Sequence, residues 1–383
     1  MCMNRYRIRV LSLTAGILLF SACKDKTEPK PAATETPAVT VSDIIPDSSS
    51  VRLIGRTYRT ADTTWLPQSG SAIEFQVTGR SITLELAGDN SVFNEPDLQP
   101  RFAVLLNGSV ILDDTLGEPK RTIEVFREDT EQTAVIEVIH LSEANQGELG
   151  IKKITVESSA VNPLTPTENK AMCIEFIGDS ITCGYGVEGK PGDTEFMTTT
   201  ENFMRTFAYL TAQKLGADYS TIAFSGYGIV SGYTADGTKQ EDMLIPPLYD
   251  YVSQSSRIPW NHKTHDYDVI VINLGTNDNF YTENDPKRIE EFAEGYESFL
   301  SYVHQTHPES RVICMLGAMG GEQLFPSVEQ AVKHVKETDG SDITALFLPK
   351  IDPASAGTDG HPNPADQQEI AAVLVEAIQR KVE

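Results

Sequence analysis

The sequence predicts two folded domains, an all-β domain of the sandwich or jelly-roll type followed by an α/β domain with a parallel sheet. Three observations lead to this prediction. Between residues 45 and 162, short runs of alternating apolar and polar residues are separated by turn signals. A segment containing Pro163 and Pro166 then reads as a linker. From 168 to 383, strand-like runs alternate with helical patterns, which is typical of a parallel sheet covered on both faces.

The predicted β domain rests on five runs in which apolar and polar side chains alternate, as in a strand with one buried face. The runs cover residues 72–77, 81–86, 102–106, 121–125 and 134–138. Ser69-Gly70, Asn107-Gly108 and Gln146-Gly147 are dipeptides typical of tight turns. Several short strands at this spacing favour a sandwich or jelly roll.

The predicted α/β domain is a succession of strands and helices. Strand-like runs cover residues 172–177, 219–224, 269–274, 311–316 and 343–348, and helical stretches lie near 202–215, 328–335 and 370–378. A further helix is indicated by Ile289, Phe292, Tyr296, Phe299 and Val303, which recur every three or four residues. In such a sheet we expect the catalytic groups on loops at the carboxyl ends of the strands.

The first residues have the composition of an export signal. Three arginines precede a short apolar run at 10–20, which is too short to span a membrane easily. The run ends in Leu-Phe-Ser-Ala-Cys23, which resembles the motif before whose cysteine bacterial lipoproteins are cut. We therefore expect a signal peptide at 1–22, lipid on Cys23 and a flexible linker at 23–44. The protein would then be an exported lipoprotein of the outer membrane, on a face that the sequence leaves open.

Charge and composition narrow the range of partners. The formal net charge of -24 argues against nucleic acid or an anionic membrane surface, so membrane contact is expected only through the N-terminal lipid. No cysteine spacing typical of a metal site occurs, and His262 and His265 form a short H-x-x-H without an evident third ligand. We expect neither a metal nor an organic cofactor.

Four loops carry residues suited to acyl transfer. Ser180, in Gly-Asp-Ser, follows a strand at a turn that can present its hydroxyl as a nucleophile. Gly226 and Asn277 follow the next two strands and offer a backbone and an amide N–H to an oxyanion. His361 lies before the last helix, beside Asp359, and can serve as the base for a distant serine. Each loop alone also fits an ordinary turn, so the argument rests on their joint order.

This order of Ser, Gly, Asn and His resembles the SGNH, or GDSL-like, hydrolase superfamily, whose domain has a flavodoxin-like fold. The all-β domain in front makes the chain most similar to carbohydrate esterase family 2. The segments that carry the resemblance are 178–186, Glu201-Asn202-Phe203 and Gly275-Thr276-Asn277-Asp278, within residues 170–383. The resemblance implies that Ser180 is the nucleophile and His361 the general base and later acid. It also implies an oxyanion hole formed by the N–H of Ser180, Gly226 and Asn277.

Two positions depart from the resemblance. SGNH enzymes in general place an acid three residues before the histidine, where this chain has Thr358. Asp359 is the only acid nearby, and backbone carbonyls are the alternative partners of His361. The family often has a tryptophan directly before the histidine as a sugar platform, where this chain has Gly360. The candidates to replace it are Tyr185, Tyr227 and Trp260.

The expected function is that of a carbohydrate acetyl esterase, which removes O-acetyl groups from xylan- or mannan-type polysaccharides or oligosaccharides through an acyl-enzyme. One alternative is a GDSL-type esterase or lipase for other acyl esters, which a long apolar cleft would favour. Another is an inert glycan-binding lipoprotein, against which the intact Ser, Gly, Asn and His loops argue. The β domain either binds glycan or braces the rim of the site, and the absence of an aromatic stripe favours bracing.

Overall fold

The computed structural model describes residues 38–380. The predicted signal peptide, Cys23 and most of the predicted linker therefore lie outside the described residues. Within residues 38–380, no helix combines the length and the apolar character needed to cross a membrane.

The described chain contains an N-terminal group of strands followed by alternating strands and helices. The first group consists of β1 (Thr40–Ile44), β2 (Arg52–Ile54), β3 (Tyr58–Arg59), β4 (Thr64–Leu66), β5 (Ala72–Gly88), β6 (Arg101–Leu106), β7 (Ser109–Thr115), β8 (Lys120–His140), β9 (Leu149–Ser158) and β10 (Leu164–Pro166). The later strands are β11 (Cys173–Gly178), β12 (Asp218–Ala223), β13 (Val269–Asn273), β14 (Arg311–Leu316) and β15 (Ile343–Phe347). The helices are α1 (Ser180–Cys183), α2 (Phe207–Leu215), α3 (Thr276–Thr282), α4 (Pro286–Thr306), α5 (Phe325–Asp339) and α6 (Pro364–Gln379).

The first ten strands form one antiparallel sheet, which confirms the predicted all-β domain. Its two long strands, β5 and β8, pair along most of their length with register shifts near Gly79 and Ile82. Such irregularities increase the local twist, and here the sheet encloses a core that includes Phe75, Leu84 and Ile136. Each long strand contains two of the predicted short ones, because the chain passes through the irregularities without leaving the sheet.

Two predicted linker boundaries are wrong. Residues 40–44, assigned to the flexible linker at 23–44, form β1 and pair with β9 from Thr40↔Ser158 onward. Residues 164–166, assigned to the link between the domains, form β10 and pair with β5 through Leu164↔Val77. Both are short strands off the main path of the sheet, where a proline such as Pro166 is tolerated because a missing N–H costs less at an edge.

The second sheet is parallel, with the order β12-β11-β13-β14-β15, as the alternation of strands and helices predicts. Successive residues of β13 point to opposite faces: Val271 joins the core under α2 and α6, whereas Ile270 and Ile272 join the core under α4 and α5. Because both faces are covered, the strands are mainly apolar, and the central strand β13 is buried over its whole length. The carboxyl edge of the sheet is left as the place where polar loops converge.

The β domain and the α/β domain share part of one core. Ile54, Leu105 and Ile139 of the β domain belong to the same buried cluster as Phe203 and Tyr219 of the α/β domain. The buried guanidinium of Arg56 also reaches Glu175 on β11 at 3.0 Å. The β domain therefore braces the sheet that carries the candidate site.

Candidate active site

Ser180 is the first residue of α1, immediately beyond the carboxyl end of β11. Asp179 caps this helix, since its carboxylate accepts the N–H of Ile181 at 3.1 Å. Gly178 is required here because a Cβ at this position would overlap the Thr182 side chain. The backbone N–H of Ser180 has no acceptor within residues 38–380, as expected for the first turn of a helix.

His361 lies against the Ser180 hydroxyl. Its Nε2 atom is 2.8 Å from Ser180 Oγ, and its Nδ1 atom is 3.1 Å from the carbonyl oxygen of Thr358. A carbonyl can only accept, so Nδ1 carries the proton and Nε2 presents a lone pair to the serine O–H. This is the arrangement that general-base activation of a serine requires.

Helix α6 holds the two catalytic groups in register. The Gln367 side chain of α6 donates to the Ile181 carbonyl at 3.0 Å and accepts the N–H of Phe207 at 2.7 Å. The loop before the helix is tied to the loop after α1, because Thr358 N–H donates to the Gly186 carbonyl at 3.0 Å. The segment that carries His361 is therefore fastened directly to the segment that carries Ser180.

Burial controls the charge of the histidine. The His361 side chain is only 8% exposed, and this desolvation lowers its pKa to about 4 from the usual 6.5. The Thr358 carbonyl and the negative charge of Asp359 oppose that shift. The imidazole is therefore neutral, and able to act as a base, at any pH well above 4.

Asp359 does not join Ser180 and His361 as a third hydrogen-bonded member. Within residues 38–380, no hydrogen bond links its carboxylate to His361, and Asp359 is exposed. Its backbone is left-handed, with φ of 54°, and its N–H donates to the Asp193 carbonyl at 2.6 Å. The Thr358 carbonyl occupies the place of the triad acid, which is the backbone alternative left open by the sequence.

The predicted oxyanion donors follow three neighbouring strands. Gly178 at the end of β11 is paired with Ala223 of β12 on one side and with Asn273 of β13 on the other. The loops that begin at these residues therefore leave the sheet at the same level. They carry the three predicted donors, which are Ser180, Gly226 and Asn277.

Gly226 and Asn277 each have an N–H to offer. The backbone N–H of Gly226 has no acceptor within residues 38–380. The Asn277 side chain donates one N–H to the Tyr227 carbonyl at 2.8 Å, which leaves its second N–H for a ligand. Gly226 has φ of 83°, a left-handed backbone conformation in which any residue with a side chain is strained. Donors of these two kinds are suited to a developing oxyanion.

Asp278 anchors the loop that contains Gly226, residues 224–231, here called the oxyanion loop. Its fully buried carboxylate accepts the N–H groups of Ile229, Val230 and Ser231 at 2.7 to 3.1 Å. Burial raises the pKa of Asp278 to about 6, and the three N–H groups oppose that shift. The sequence analysis gave this residue no role, although it directly follows Asn277.

Two of the three candidate sugar-contacting aromatics lie near the catalytic residues. Tyr185 stacks on the His361 ring with a centroid distance of 4.2 Å, and its other neighbour is Phe196 at 4.7 Å. Tyr227 packs into the core against Phe224, so the prediction that its ring contacts sugar is wrong. Its contribution to the site is the carbonyl that orients Asn277.

Trp260 lies at the opposite edge of the parallel sheet, and its predicted contact with a sugar beside Ser180 is wrong. It lines a cavity of about 560 Å³ together with Cys173 and Asp218, which begin β11 and β12. Its ring stacks on His265 at 3.9 Å. His262 instead bonds His307 at 3.1 Å, so the H-x-x-H pair does not converge.

An exposed aromatic pair that the sequence analysis missed lies beside the oxyanion donors. Tyr233 and Phe280 are 48% and 42% exposed, and their rings meet edge to face at 4.8 Å. Tyr233 N–H donates to the Gly226 carbonyl at 2.7 Å, and Phe280 is three residues from Asn277 in α3. The pair borders a cavity of about 680 Å³ that is also lined by amide side chains, namely those of Asn279, Asn284 and Gln323.

Comparison with known protein families agrees with this geometry. The sequence model described as GDSL-like Lipase/Acylhydrolase family matches residues 176–368, just over half of the chain. The chain belongs to this family. The model described as Carbohydrate esterase 2 N-terminal matches residues 53–164, the β domain. The two matches together identify this GDSL-like hydrolase as a member of carbohydrate esterase family 2, as its resemblance implied.

Three similar proteins support the assignment. The cellulase/esterase CelE of Acetivibrio thermocellus is 29% identical over 82% of this chain, which spans only 37% of the length of that relative. An acetylxylan esterase/glucomannan deacetylase of Cellvibrio japonicus is 26% identical over 97% of this chain and 98% of its own length. The solved structure of a family two carbohydrate esterase from Clostridium thermocellum in complex with cellohexaose has a TM-score of 0.75 at 24% identity, covering 86% of this chain and 98% of that one. This last likeness establishes the fold.

Proposed function

We propose that this protein is a serine esterase that removes O-acetyl groups from plant-type polysaccharides or oligosaccharides such as xylan and mannan. The observation that carries the proposal is the 2.8 Å contact between Ser180 Oγ and His361 Nε2, with the imidazole tautomer fixed by the Thr358 carbonyl. A nucleophile and a base held in this way perform acyl transfer and need no further group to activate the serine.

The reaction proceeds in two acyl transfers. His361 Nε2 takes the Ser180 proton while Oγ attacks the acetyl carbonyl carbon, and the resulting oxyanion is held by N–H groups of Ser180, Gly226 and Asn277. Collapse of this intermediate expels the sugar oxygen, which takes the proton from His361 and leaves acetyl-Ser180. Water then attacks the acetyl group with His361 again as base, and acetate and free Ser180 are released.

Two observations support a carbohydrate ester as the substrate. The similar Cellvibrio proteins are named acetylxylan esterase/glucomannan deacetylase, and the chain matches one of them over 98% of its length. The exposed pair Tyr233 and Phe280, with amide side chains around it, also offers the mixture of aromatic faces and polar groups that suits a sugar ring.

Acetate release from acetylated xylan and acetylated glucomannan tests the proposal directly. The wild type should release acetate from at least one of these polymers, and Ser180→Ala should lose essentially all of that activity. A series of 4-nitrophenyl esters of increasing acyl length should be cleaved fastest at acetate. Preference for long acyl chains would instead support a lipase-like enzyme. A folded wild type that cleaves none of these esters would refute the enzyme and leave glycan binding as the function.

We also propose that Cys23 is lipidated and attaches the protein to the outer membrane. The support is the sequence alone: a basic start, the apolar run at 10–20 and Leu-Phe-Ser-Ala before the cysteine. Cells expressing the protein should incorporate labelled palmitate into it, and Cys23→Ser should abolish the label. Equal labelling of wild type and Cys23→Ser would contradict the proposal.

A further inference from the structure

A carboxyl group of the β domain accepts a hydrogen bond from the backbone of the oxyanion loop. Glu143 follows β8 and is 1% exposed, and its Oε2 accepts the N–H of Ser225 at 2.7 Å. The thiol of Cys183, at the end of the helix that begins with Ser180, is directed at the same oxygen at 3.9 Å. One side chain therefore contacts both the oxyanion loop and the helix of the nucleophile.

Glu143 is itself held rigidly. Its own N–H donates to the Glu201 carboxylate at 3.1 Å. The preceding residues are fastened as well, because Phe203 N–H donates to the Leu141 carbonyl at 3.0 Å. Arg101 adds a third link, since its guanidinium donates to the Glu201 carbonyl at 3.0 Å. The acceptor that meets Ser225 is thus part of a fixed interface between the two domains.

We propose that Glu143 is a positioning residue that sets the direction of the Gly226 N–H in the oxyanion hole. Ser225 directly precedes Gly226, so the bond from its N–H to Glu143 restrains the backbone on the amino side of the donor. On the other side, Tyr233 N–H holds the Gly226 carbonyl at 2.7 Å. Gly226 has no side chain to restrain it and φ of 83°, so its peptide orientation depends on these two bonds and on the turn that Tyr227 N–H closes with the Phe224 carbonyl at 3.2 Å.

The inference rests on the proposed esterase function and adds a contribution of the β domain to catalysis. An oxyanion hole works because its donors are aimed before charge develops. If the acceptor behind Ser225 is lost, the ground-state complex changes little, but the transition state loses a well-aimed N–H. The expected signature is a fall in kcat with little change in KM.

Three substitutions of Glu143 test separately how far its side chain must reach and whether it must present an acceptor oxygen. Glu143→Gln keeps an acceptor oxygen of the same reach and adds an amide N–H near Glu201, whose carboxylate lies within 4.8 Å of that of Glu143 and whose Oε1 has no hydrogen-bond partner within residues 38–380. Burial raises the pKa of the Glu143 carboxyl above its ordinary value. Glu143→Met keeps the volume without an acceptor, and Glu143→Asp keeps the carboxyl group but withdraws the oxygen by about 1.5 Å.

Kinetics with 4-nitrophenyl acetate should place these variants in a definite order. We expect kcat of Glu143→Gln within about 3-fold of wild type and that of Glu143→Met lower by about 10- to 100-fold, with KM little changed. Glu143→Asp should also be slow, and it decides the question if Glu143→Met does not fold. The matched control is Glu148→Met: Glu148 is another buried β-domain carboxyl that reaches across the interface, and within residues 38–380 its hydrogen bonds go to Tyr58, Ser253 and Ser255 and not to the oxyanion loop. This control should lose stability and keep kcat.

The outcomes distinguish this inference from the proposed function. A wild type that hydrolyses esters while folded Glu143→Met and Glu143→Asp keep its kcat would overturn the inference alone. A kcat of Glu143→Gln as low as that of Glu143→Met would also overturn it, because the acceptor would then not be what matters. A folded wild type with no activity beyond Ser180→Ala would overturn both.

Discussion

At the scale of single residues, the site depends on a carbonyl where an acid is more common. The Thr358 carbonyl fixes the tautomer of His361 as a carboxylate would, because either group accepts the Nδ1 proton. It carries only a partial charge, so it stabilises the imidazolium of the transition state less. The exposed Asp359 acts on His361 only through its charge and its backbone.

Replacement of Asp359 by asparagine should therefore be tolerated. Asparagine adopts the left-handed backbone of this position readily, and the N–H bond to Asp193 remains. We expect kcat of Asp359→Asn within about 3-fold of wild type, whereas the same change in a true triad acid costs about 10⁴-fold. Steady-state kinetics on 4-nitrophenyl acetate, with His361→Ala as the inactive control, would measure this. A loss of three or more orders of magnitude, roughly the triad value, would show that Asp359 is a catalytic acid after all.

The buried histidine also makes a prediction about pH. Activity requires neutral His361, and burial lowers its pKa to about 4, so protonation stops the reaction only in strong acid. We expect kcat/KM to stay on its plateau as the pH falls through 6.5 and to reach half only near 4 to 5. Acetate release at each pH, with circular dichroism to verify folding, measures the profile. A half-point near 6.5 would mean that solvent reaches the ring more freely than its burial indicates.

The residues that sequence reasoning located have reactive side chains or, like Gly226, lie in a loop whose place in the chain order is recognisable. Ser180, Gly226, Asn277 and His361 were found because each follows a strand or precedes the last helix, and the structure brings Ser180 and His361 into contact. Thr358 acts through its backbone carbonyl, which every residue type has, so its identity in the sequence does not indicate this role. Trp260 was misplaced because a loop between two strands can pass over either edge of the sheet.

At the scale of elements, α3 and the oxyanion loop behave as one unit held by Asp278. Replacing Asp278 by alanine leaves the N–H groups of Ile229, Val230 and Ser231 buried without an acceptor. We expect Asp278→Ala to lower the free energy of unfolding by about 3 kcal/mol and to lower kcat as well, because Gly226 lies in the same loop.

Urea denaturation and steady-state kinetics would measure both effects of Asp278→Ala. The matched control is Asp236→Ala, which removes a carboxylate that accepts the Thr238 N–H at 2.9 Å on the exposed surface. Water replaces that acceptor, so its loss should be much smaller. Equal losses in the two variants would contradict the anchoring role of Asp278.

The elements that the sequence predicted well are those with a regular period. The helix face from Ile289 to Val303 lies inside α4, and the Asn107-Gly108 turn joins β6 to β7 with both residues at positive φ. Strand ends were predicted less well. Short strands such as β1 and β10 form because a long neighbour offers them hydrogen bonds, and that neighbour is distant in the sequence.

At the scale of the whole molecule, the β domain packs against the hydrolase domain and supports it, and is not merely joined to it by the chain. Residues 38–380 lie in one compact unit, and the shared core includes side chains from both domains. The domain boundary predicted from the change in sequence pattern coincides with the change from the antiparallel to the parallel sheet. It does not mark a point where contacts are few, because packing between distant segments leaves no local signal.

The fully buried pair of Arg56 and Glu175 gives this coupling a measurable consequence. Arg56 Nη2 is 3.0 Å from Glu175 Oε1, and Tyr249 O–H donates to Glu175 Oε2 at 2.7 Å. Removing Arg56 leaves the buried carboxylate of Glu175 without its cationic partner, which lowers the free energy of unfolding by about 3–5 kcal/mol. We therefore expect Arg56→Met to lower the stability of the whole molecule, and both domains should still unfold in one transition.

The double variant separates charge from packing in this interface. Adding Glu175→Gln to Arg56→Met removes the stranded charge and keeps an acceptor for Tyr249, so the double variant should be more stable than Arg56→Met alone. Guanidinium denaturation followed by far-ultraviolet circular dichroism and by tryptophan fluorescence tests both points, since Trp65 lies in the β domain and Trp260 in the α/β domain. Coincident transitions are expected, because a domain that loses its partner exposes the apolar side chains that it contributes to the shared cluster. Two separated transitions in the wild type would mean that each domain has a sufficient core of its own, and the bracing of the active site by the β domain would then have to be abandoned.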